Sequence, residues 1–249
     1  MQERNSRGEI SVVVPVLREP RLDGLVRHVR DIAGPEPVQL VVVDGDPAGS
    51  SLAALRAAMP EAAACPDLIL FAASPGRARQ MNAGAARATG GILVFLHADT
   101  RLPAGAFDAL RAALGTGLAR AGSFDLAFDT GRPALRFVAR VGSIRSRMER
   151  IPYGDQVHFF DAAYFRALGG YPDVPIMEDV ELFRRIRRRG EGCVILPDRA
   201  VTSARRYERD GIARRVLGNW RLRLLHALGV PPRRLAGQYN AHGDDHDEK

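Results

Sequence analysis

The chain has 249 residues, of which 46% are hydrophobic and 26% charged, and its formal net charge is +7. This length is enough for one sizeable core, and the composition argues against a disordered polymer. Two isolated cysteines, Cys65 and Cys193, form no metal-ligand spacing, so we expect neither a disulfide framework nor a cysteine-based metal site.

The N-terminal start is polar over residues 1–8 and is followed by an apolar run of strand length. This pattern matches neither a secretory signal nor a membrane-spanning segment. The sequence therefore predicts a flexible start over residues 1–8 and a cytoplasmic protein.

Strand and helix patterns alternate through the first hundred residues. Short apolar runs predict strands at 10–16, 38–43, 68–71 and 92–96, and helical spacing predicts helices at 22–32, 51–59 and 78–88. Consecutive parallel strands need crossovers of this length. The pattern therefore predicts an α/β fold with a doubly wound, Rossmann-like, mostly parallel central sheet and helices on both faces.

The glycine-rich phosphate-binding motifs are missing from this half. No G-x-G-x-x-G follows the first strand, and no G-x-x-x-x-G-K-[ST] occurs. The sequence therefore lacks the main motif expected of a dinucleotide-dependent oxidoreductase and that of a P-loop phosphotransferase.

An acidic residue follows the fourth apolar run. Residues 92–96 read as a strand buried on both faces, so Asp99 is expected at the carboxyl edge of the sheet, where open α/β sheets bind ligands. A carboxylate there can hold a divalent cation, which in turn can hold a diphosphate. Arg77 and Arg79, at the start of the third helix, could assist with the phosphates.

The second half has a mixed pattern. Residues 121–129 alternate as a half-exposed strand, 152–160 read as a turn leading into a strand, and 168–172 as a turn cluster. A helix is predicted at 176–186, with Glu178 and Asp179 in its first turn. These acids suit either a general base beside a mobile lid or a simple interaction with the helix dipole.

The basic C-terminal part has near-helical apolar spacing over residues 211–239, interleaved with arginines. We expect the apolar face to pack on the domain. Peripheral contact with an anionic membrane at its inner face is the weaker alternative. Residues 241–249 are predicted to be disordered.

Together, these motifs resemble a known family. The strings SVVVPV at 11–16, RQMNAG at 79–84, HAD at 97–99 and MED at 177–179, with Asp44 at a strand end, occur in the order seen in family 2 glycosyltransferases with the GT-A fold. The strings GRARQMN at 76–82, FLHADT at 95–100, PYGDQ at 152–156 and MEDVEL at 177–182 look like the bacterial radical-SAM/selenodomain-associated transferase 2 subgroup.

The resemblance covers about residues 9–207. It implies a GT-A catalytic domain over 9–207, between a flexible start at 1–8 and a basic helical extension at 208–240. A disordered tail at 241–249 completes this division.

For the metal and donor, the resemblance implies that Asp99 binds Mg²⁺ or Mn²⁺. His97 stands where the family commonly has an aspartate and suits manganese better, although a packed strand-end histidine is the alternative. The resemblance assigns further donor-binding roles to Pro15, Glu19, Asp44, Arg79, Asn82, His97 and Ala98. Asp44 would hydrogen-bond the nucleotide base, or else simply form a turn.

For the transfer step, the resemblance implies that Asp179 is the general base of an inverting reaction, with Glu178 positioning the acceptor or a loop. Tyr153, Asp155 and Gln156 would contact the sugar or the acceptor. The implied activity is transfer of a hexose from a nucleotide-diphosphate sugar to an unknown acceptor hydroxyl.

Two other function classes remain open. A nucleotidyltransferase or pyrophosphorylase on a related sheet would normally carry a glycine-rich, lysine-containing loop after the first strand, where this chain has PVLREP at 15–20. A basic nucleic-acid-binding module would need aromatic residues among the arginines, but aromatics make up only 6% of the chain. No nucleic-acid partner is therefore expected.

Overall fold

The computed structural model describes residues 9–61 and 65–240. The predictions of a flexible start at 1–8 and a disordered tail at 241–249 lie outside the described residues. Within them, the predicted α/β fold is confirmed.

The first half forms the parallel part of the sheet. Its strands are β1 (Ile10–Val16), β2 (Val38–Asp44), β3 (Leu68–Ala72) and β4 (Ile92–Phe95), and its helices are α1 (Asp23–Ala33), α2 (Ser50–Ala58) and α3 (Arg77–Arg87). The spatial order is β3-β2-β1-β4, with every neighbouring pair parallel. The predicted alternation of strands and helices is confirmed here.

The central strand β1 is buried on both faces. Val12 and Val14 belong to one hydrophobic cluster, whereas Val13 belongs to the cluster on the opposite face. Helix α3 packs so closely that a side-chain carbon on Gly84 would collide with Val13. This packing fixes the start of α3, with Arg77, at the carboxyl edge of the sheet.

The second half extends the same sheet in mixed directions. Its elements are β5 (Thr100–Arg101), α4 (Ala106–Gly115), β6 (Ala121–Phe128), α5 (Pro133–Glu149), a 3-10 helix (Gly154–Gln156), β7 (His158–Asp161), α6 (Ala162–Ala167), α7 (Glu178–Arg188), β8 (Cys193–Thr202), α8 (Arg205–Asp210), α9 (Ile212–Ala227) and α10 (Pro232–Asn240). The full order is β3-β2-β1-β4-β7-β6-β8-β5, in which β7 runs antiparallel to both β4 and β6.

Among the C-terminal helices, α9 contacts α5, and α8 and α10 contact α9. Leu222 and His226 of α9 are buried, but Leu217, Trp220 and Leu224 are exposed. The expectation that the apolar face of this segment packs on the domain is therefore wrong for these three side chains. No helix among the described residues is long and apolar enough to cross a membrane.

Candidate functional site

A cavity of about 510 Å³ opens at the carboxyl edge of the sheet. Asp99, Asp155 and Asp179 all line it, although they come from three distant parts of the chain. His97 and Tyr153 complete the same wall. Three carboxylates therefore converge in one hollow where the fold is expected to bind a ligand.

The loop after β4 carries the first of these acids. The main-chain oxygen of Asp99 accepts a hydrogen bond from the Ser203 nitrogen at 3.1 Å, which ties the loop to the end of β8. The Thr100 hydroxyl lies 3.3 Å from Asp99 Oδ1 and 3.0 Å from the Thr202 hydroxyl. Asp99 is thus held by two neighbouring strands, and its carboxylate is partly exposed to the cavity.

His97 lies half-buried beside the same loop. Burial and the nearby Arg77 guanidinium lower the pKa of His97 to about 3. The imidazole is therefore neutral at pH 7 and keeps a lone pair on one ring nitrogen. A side-chain carbon on Gly154 would lie only 2.7 Å from His97 Cε1, so the main chain at Gly154 packs closely against the ring.

The turn at residues 153–156 contains Asp155 and is hydrogen-bonded to Asp179. Its Gly154 main-chain nitrogen donates a hydrogen bond to Asp179 Oδ2 at 2.9 Å. The next residue after the turn, Val157, has a φ of 53°, a left-handed conformation that is unfavourable for a β-branched side chain. Such strain persists only where the surroundings enforce it, and it often occurs at functional sites.

The side chain of Gln156 stabilises this turn through three hydrogen bonds. Its amide nitrogen donates to the Phe124 main-chain oxygen at 3.0 Å, and its amide oxygen accepts from Ser146 and from the Tyr153 nitrogen. The side chain is 1% exposed. Gln156 therefore holds Tyr153 and Asp155 in place, while Tyr153 itself packs under the Arg145 guanidinium, 3.7 Å from the ring centre.

Asp155 is the most perturbed carboxyl group of the cavity. Burial foremost, and then the charges of Asp179 and Asp99, raise the pKa of Asp155 to about 6. Its Oδ1 atom is buried and has no hydrogen-bond partner within residues 9–61 and 65–240. A buried oxygen of this kind costs free energy unless a bound group donates to it, which makes Asp155 a candidate ligand contact.

Glu178 and Asp179 are the first two residues of α7. Met177, with a left-handed φ of 64°, ends the preceding turn and brings Glu178 and Asp179 to the helix N-terminus. Glu178 is 1% exposed and pairs with the Arg77 guanidinium, while burial raises the pKa of the Glu178 carboxyl above its usual value. Asp179 lines the cavity. Glu178 does not line it and instead forms an ion pair with Arg77.

Two predicted donor contacts on α3 do not line this cavity. Arg79 Nε donates to Asp173 at 2.8 Å on an exposed surface. Asn82 makes paired hydrogen bonds with the main chain of Tyr171, at 2.7 and 2.9 Å. Both residues thus hold the turn before α7, and their roles in phosphate binding stay predictions.

Asp44 lies at the end of β2 and is fully buried. Its two oxygens accept hydrogen bonds from the Asp46 and Ser51 main-chain nitrogens, each at 2.9 Å. Ser51 Oγ in turn accepts from the Glu19 nitrogen at 3.0 Å, so the loops after β1 and β2 are joined. Asp44 is not among the residues that line the cavity, and Pro15 pairs with Val43 of β2 inside the sheet. Their contact with a nucleotide stays a prediction.

Sequence reasoning missed part of the lining. The C-terminal helices contribute Arg206, Tyr207, Arg215 and Asn219 to the cavity wall. Arg206 is close enough to His97 to help lower the pKa of that imidazole. The arginine-rich composition after residue 204 was the available signal, but it did not distinguish these positions from solvated helix faces.

The cavity offers carboxylate oxygens that a divalent cation could use. Within the described part of the chain, no group of three or more His, Cys, Asp or Glu side chains is placed to hold a metal ion. A magnesium-type site does not need one, because such ions commonly use one or two carboxylates together with substrate phosphates and water. Asp99, partly exposed beside the unpartnered Asp155 oxygen, fits that arrangement.

The comparison with protein families decides the class. The sequence model of Glycosyl transferase family 2 matches residues 11–162, more than half of the chain. The chain belongs to this family. No curated protein sequence matches the chain at a significant level.

Solved structures share the fold. The mannosyltransferase PcManGT from Pyrobaculum calidifontis, in complex with GDP-Man and Mn²⁺, is 23% identical with a TM-score of 0.62, and the match covers 94% of this glycosyltransferase and 69% of that chain. S. aureus TarS 1-349 in complex with UDP is 14% identical with a TM-score of 0.60, over 78% of this chain and 60% of that one. The present chain therefore spans less than two thirds of TarS 1-349. At these identities the likeness shows the fold alone, which confirms the GT-A expectation.

Proposed function

We propose that this glycosyltransferase moves a hexose from a nucleotide-diphosphate sugar to an acceptor hydroxyl in a single, inverting displacement. The observation that carries the proposal is the meeting of Asp99 and Asp179 in one cavity at the carboxyl edge of the sheet. Asp99 would hold the cation that binds the donor diphosphate, and Asp179 would take the proton of the acceptor hydroxyl.

On the donor side, Asp99 would hold Mg²⁺ or Mn²⁺ against the diphosphate. When bound, the cation offsets the negative charge that develops on the leaving nucleoside diphosphate. Arg77, which is paired with Glu178, and Arg206 both line the cavity. Both guanidiniums can contact phosphate oxygens, for which their planar donors are well suited.

On the acceptor side, Asp179 would take the proton. The acceptor oxygen attacks the anomeric carbon, the bond from that carbon to the diphosphate oxygen breaks, and the hydroxyl proton passes to Asp179. The Gly154 nitrogen fixes Asp179 Oδ2 at 2.9 Å and so orients the carboxylate. Asp155, with its unpartnered oxygen, would accept a hydrogen bond from a sugar or acceptor hydroxyl.

We also propose the finer assignments from the sequence. The catalytic domain would span residues 9–207 and the helical extension 208–240. Because Arg215 and Asn219 of α9 line the cavity, the extension would form part of the site. Membership of the radical-SAM/selenodomain-associated transferase 2 subgroup rests on the resemblance of the four motifs alone.

Thermal unfolding in the presence of nucleotides tests the donor side. We would measure the native chain with GDP, UDP, GDP-mannose and UDP-GlcNAc, each with Mn²⁺, with Mg²⁺ or with EDTA. We expect one nucleotide class to stabilise the protein only when a divalent cation is present, by about 2.7 kcal/mol at a hundredfold excess over Kd. Asp99→Ala should lose that stabilisation.

Asp108→Ala is the matched control, because Asp108 is an exposed acid on α4 with 84% of its side chain accessible. It should keep the full nucleotide effect. Stabilisation of Asp99→Ala equal to that of the native chain would remove Asp99 from the metal site. Absence of stabilisation by every nucleotide and nucleotide sugar would remove the donor proposal itself.

A further inference from the structure

Helix α5 carries an exposed apolar stripe. Phe137, Ile144 and Met148 are 68%, 48% and 80% exposed. At 100° per residue they fall within about 40° of the helix circumference. Arg136 and Arg140, also exposed, follow next to the stripe on one side.

Helix α9 carries a similar stripe. Leu217, Leu224 and Leu228, the last just beyond the helix end, are 69%, 60% and 73% exposed and also fall within about 40°. The exposed Arg214 and Arg221 lie beside this stripe. Among the described residues, neither of these arginines nor the pair on α5 forms an ion pair with a carboxylate.

A groove of about 200 Å³ lies between the two helices. Val141 of α5 and Trp220 of α9 line it, on the side of each stripe away from its arginines. The lining is mainly apolar, although Arg145, Asp155 and Arg223 also contribute to it. The face therefore consists of this groove, an apolar stripe on each side, and further arginines at both outer margins. Tyr153 and Tyr207 line both this groove and the catalytic cavity, so the two hollows adjoin.

This combination of exposed apolar stripes and outer arginines fits one kind of partner. Aliphatic and indole side chains enter the headgroup region of a bilayer, and arginines at the margin pair with anionic headgroups. A second copy of the chain would instead bring arginine margins against arginine margins, which like charges oppose. We propose that the face formed by α5 and α9 docks on an anionic lipid bilayer, with the mouth of the catalytic cavity held near its surface.

Vesicle binding tests this proposal without any donor or turnover. The full chain would be mixed with extruded vesicles of phosphatidylcholine alone, or of phosphatidylcholine and phosphatidylglycerol in equal parts, and the bound fraction measured by flotation. We expect binding to the anionic vesicles that weakens with added salt. Leu217→Ser with Leu224→Ser should lower the partition coefficient at least about tenfold.

A charge-reversal pair, Arg214→Glu with Arg221→Glu, should lower the partition coefficient on anionic vesicles by a similar factor. The controls are Leu118→Ser, an 85% exposed leucine outside the face, and Arg27→Glu with Arg56→Glu on α1 and α2, which change charge equally. Each control should stay within about twofold of the native partition coefficient.

Three results would overturn the proposal: no binding to anionic vesicles, equal losses in the controls, or a dimer by light scattering that the same serine substitutions abolish. The last result would assign the face to a second copy. Because the proposal goes beyond glycosyl transfer and its test uses no nucleotide, failure here leaves the nucleotide-dependent unfolding of Asp99→Ala to judge the proposed function separately.

Discussion

Asp155→Asn should stabilise the metal-free protein at high pH, because it removes a buried charge from the cavity at the sheet edge. The folded protein raises the pKa of this carboxyl from 3.8 to about 6, because of burial first and then Asp179 and Asp99. The folded state therefore holds the proton more tightly than the unfolded chain. That contribution to stability is fully present below pH 3.8 and is lost as the pH rises through 6.

The size of the effect follows from the shift. One pKa unit corresponds to about 1.4 kcal/mol, so a charged Asp155 costs up to about 3 kcal/mol at pH 8. Water reaching the open side of the cavity will reduce this value. Asparagine keeps the shape without the charge, so the variant should match the native protein near pH 4 and exceed its unfolding free energy by up to about 3 kcal/mol at pH 8.

Urea unfolding in EDTA, followed by circular dichroism at pH 4.5, 6, 7 and 8, measures this difference. His97 and His158, whose pKa values are lowered to about 3 and 4 by burial, also make stability depend on pH. They occur in both proteins, so their effect cancels in the comparison. Asp108→Asn should show no such trend, and an Asp155→Asn difference that is constant with pH, or destabilising at pH 8, would refute the reasoning.

Two further substitutions test the site. Asp179→Asn should keep metal-dependent donor binding while turnover falls at least about a hundredfold, and undiminished turnover relative to Asp108→Asn would exclude Asp179 as the base. Gly154→Ala places a carbon 2.7 Å from His97 Cε1 and should lower the unfolding free energy by about 1–3 kcal/mol in a urea titration. Gly131→Ala, which meets nothing within 4 Å, is its control, and equal stability of the two variants would contradict the close packing over His97.

The first half of the fold was predictable because its signals are local. Strand β1 is a run of valines buried on both faces, and α3 ends where threonine and two glycines follow. Helix α5 escaped prediction for a physical reason. Its buried face carries two serines, Ser143 and Ser146, while its large apolar side chains, such as Phe137 and Met148, face outward. Its hydrophobic periodicity therefore does not mark a core-facing helix.

The sequence predicts the acidic residues of the site but not the contacts that hold the surrounding loops in place. Asp99 and Asp179, to which the resemblance gives the metal and base roles, both line one cavity. For Asp44 the sequence left two roles open, a contact with the nucleotide base or a turn, and local main-chain nitrogens hold both of its oxygens. Arg79 and Asn82 make their contacts with residues about ninety positions away in the chain. Such pairs depend on how α3 meets the turn before α7, which no local pattern specifies.

The acids that line the cavity would favour a cation beside a bound diphosphate. A diphosphate entering beside Asp99, Asp155 and Asp179 meets like charges, and each pair at 4 Å opposes binding by about 4 kcal/mol at an effective dielectric constant of 20. Arg77 supplies little free positive charge, because the buried Glu178 already pairs with it. A divalent cation on Asp99 would offset much of this negative charge near the diphosphate and would also stabilise the charged form of Asp155. Donor binding, cation binding and ionisation of Asp155 are therefore expected to be thermodynamically linked in this glycosyltransferase.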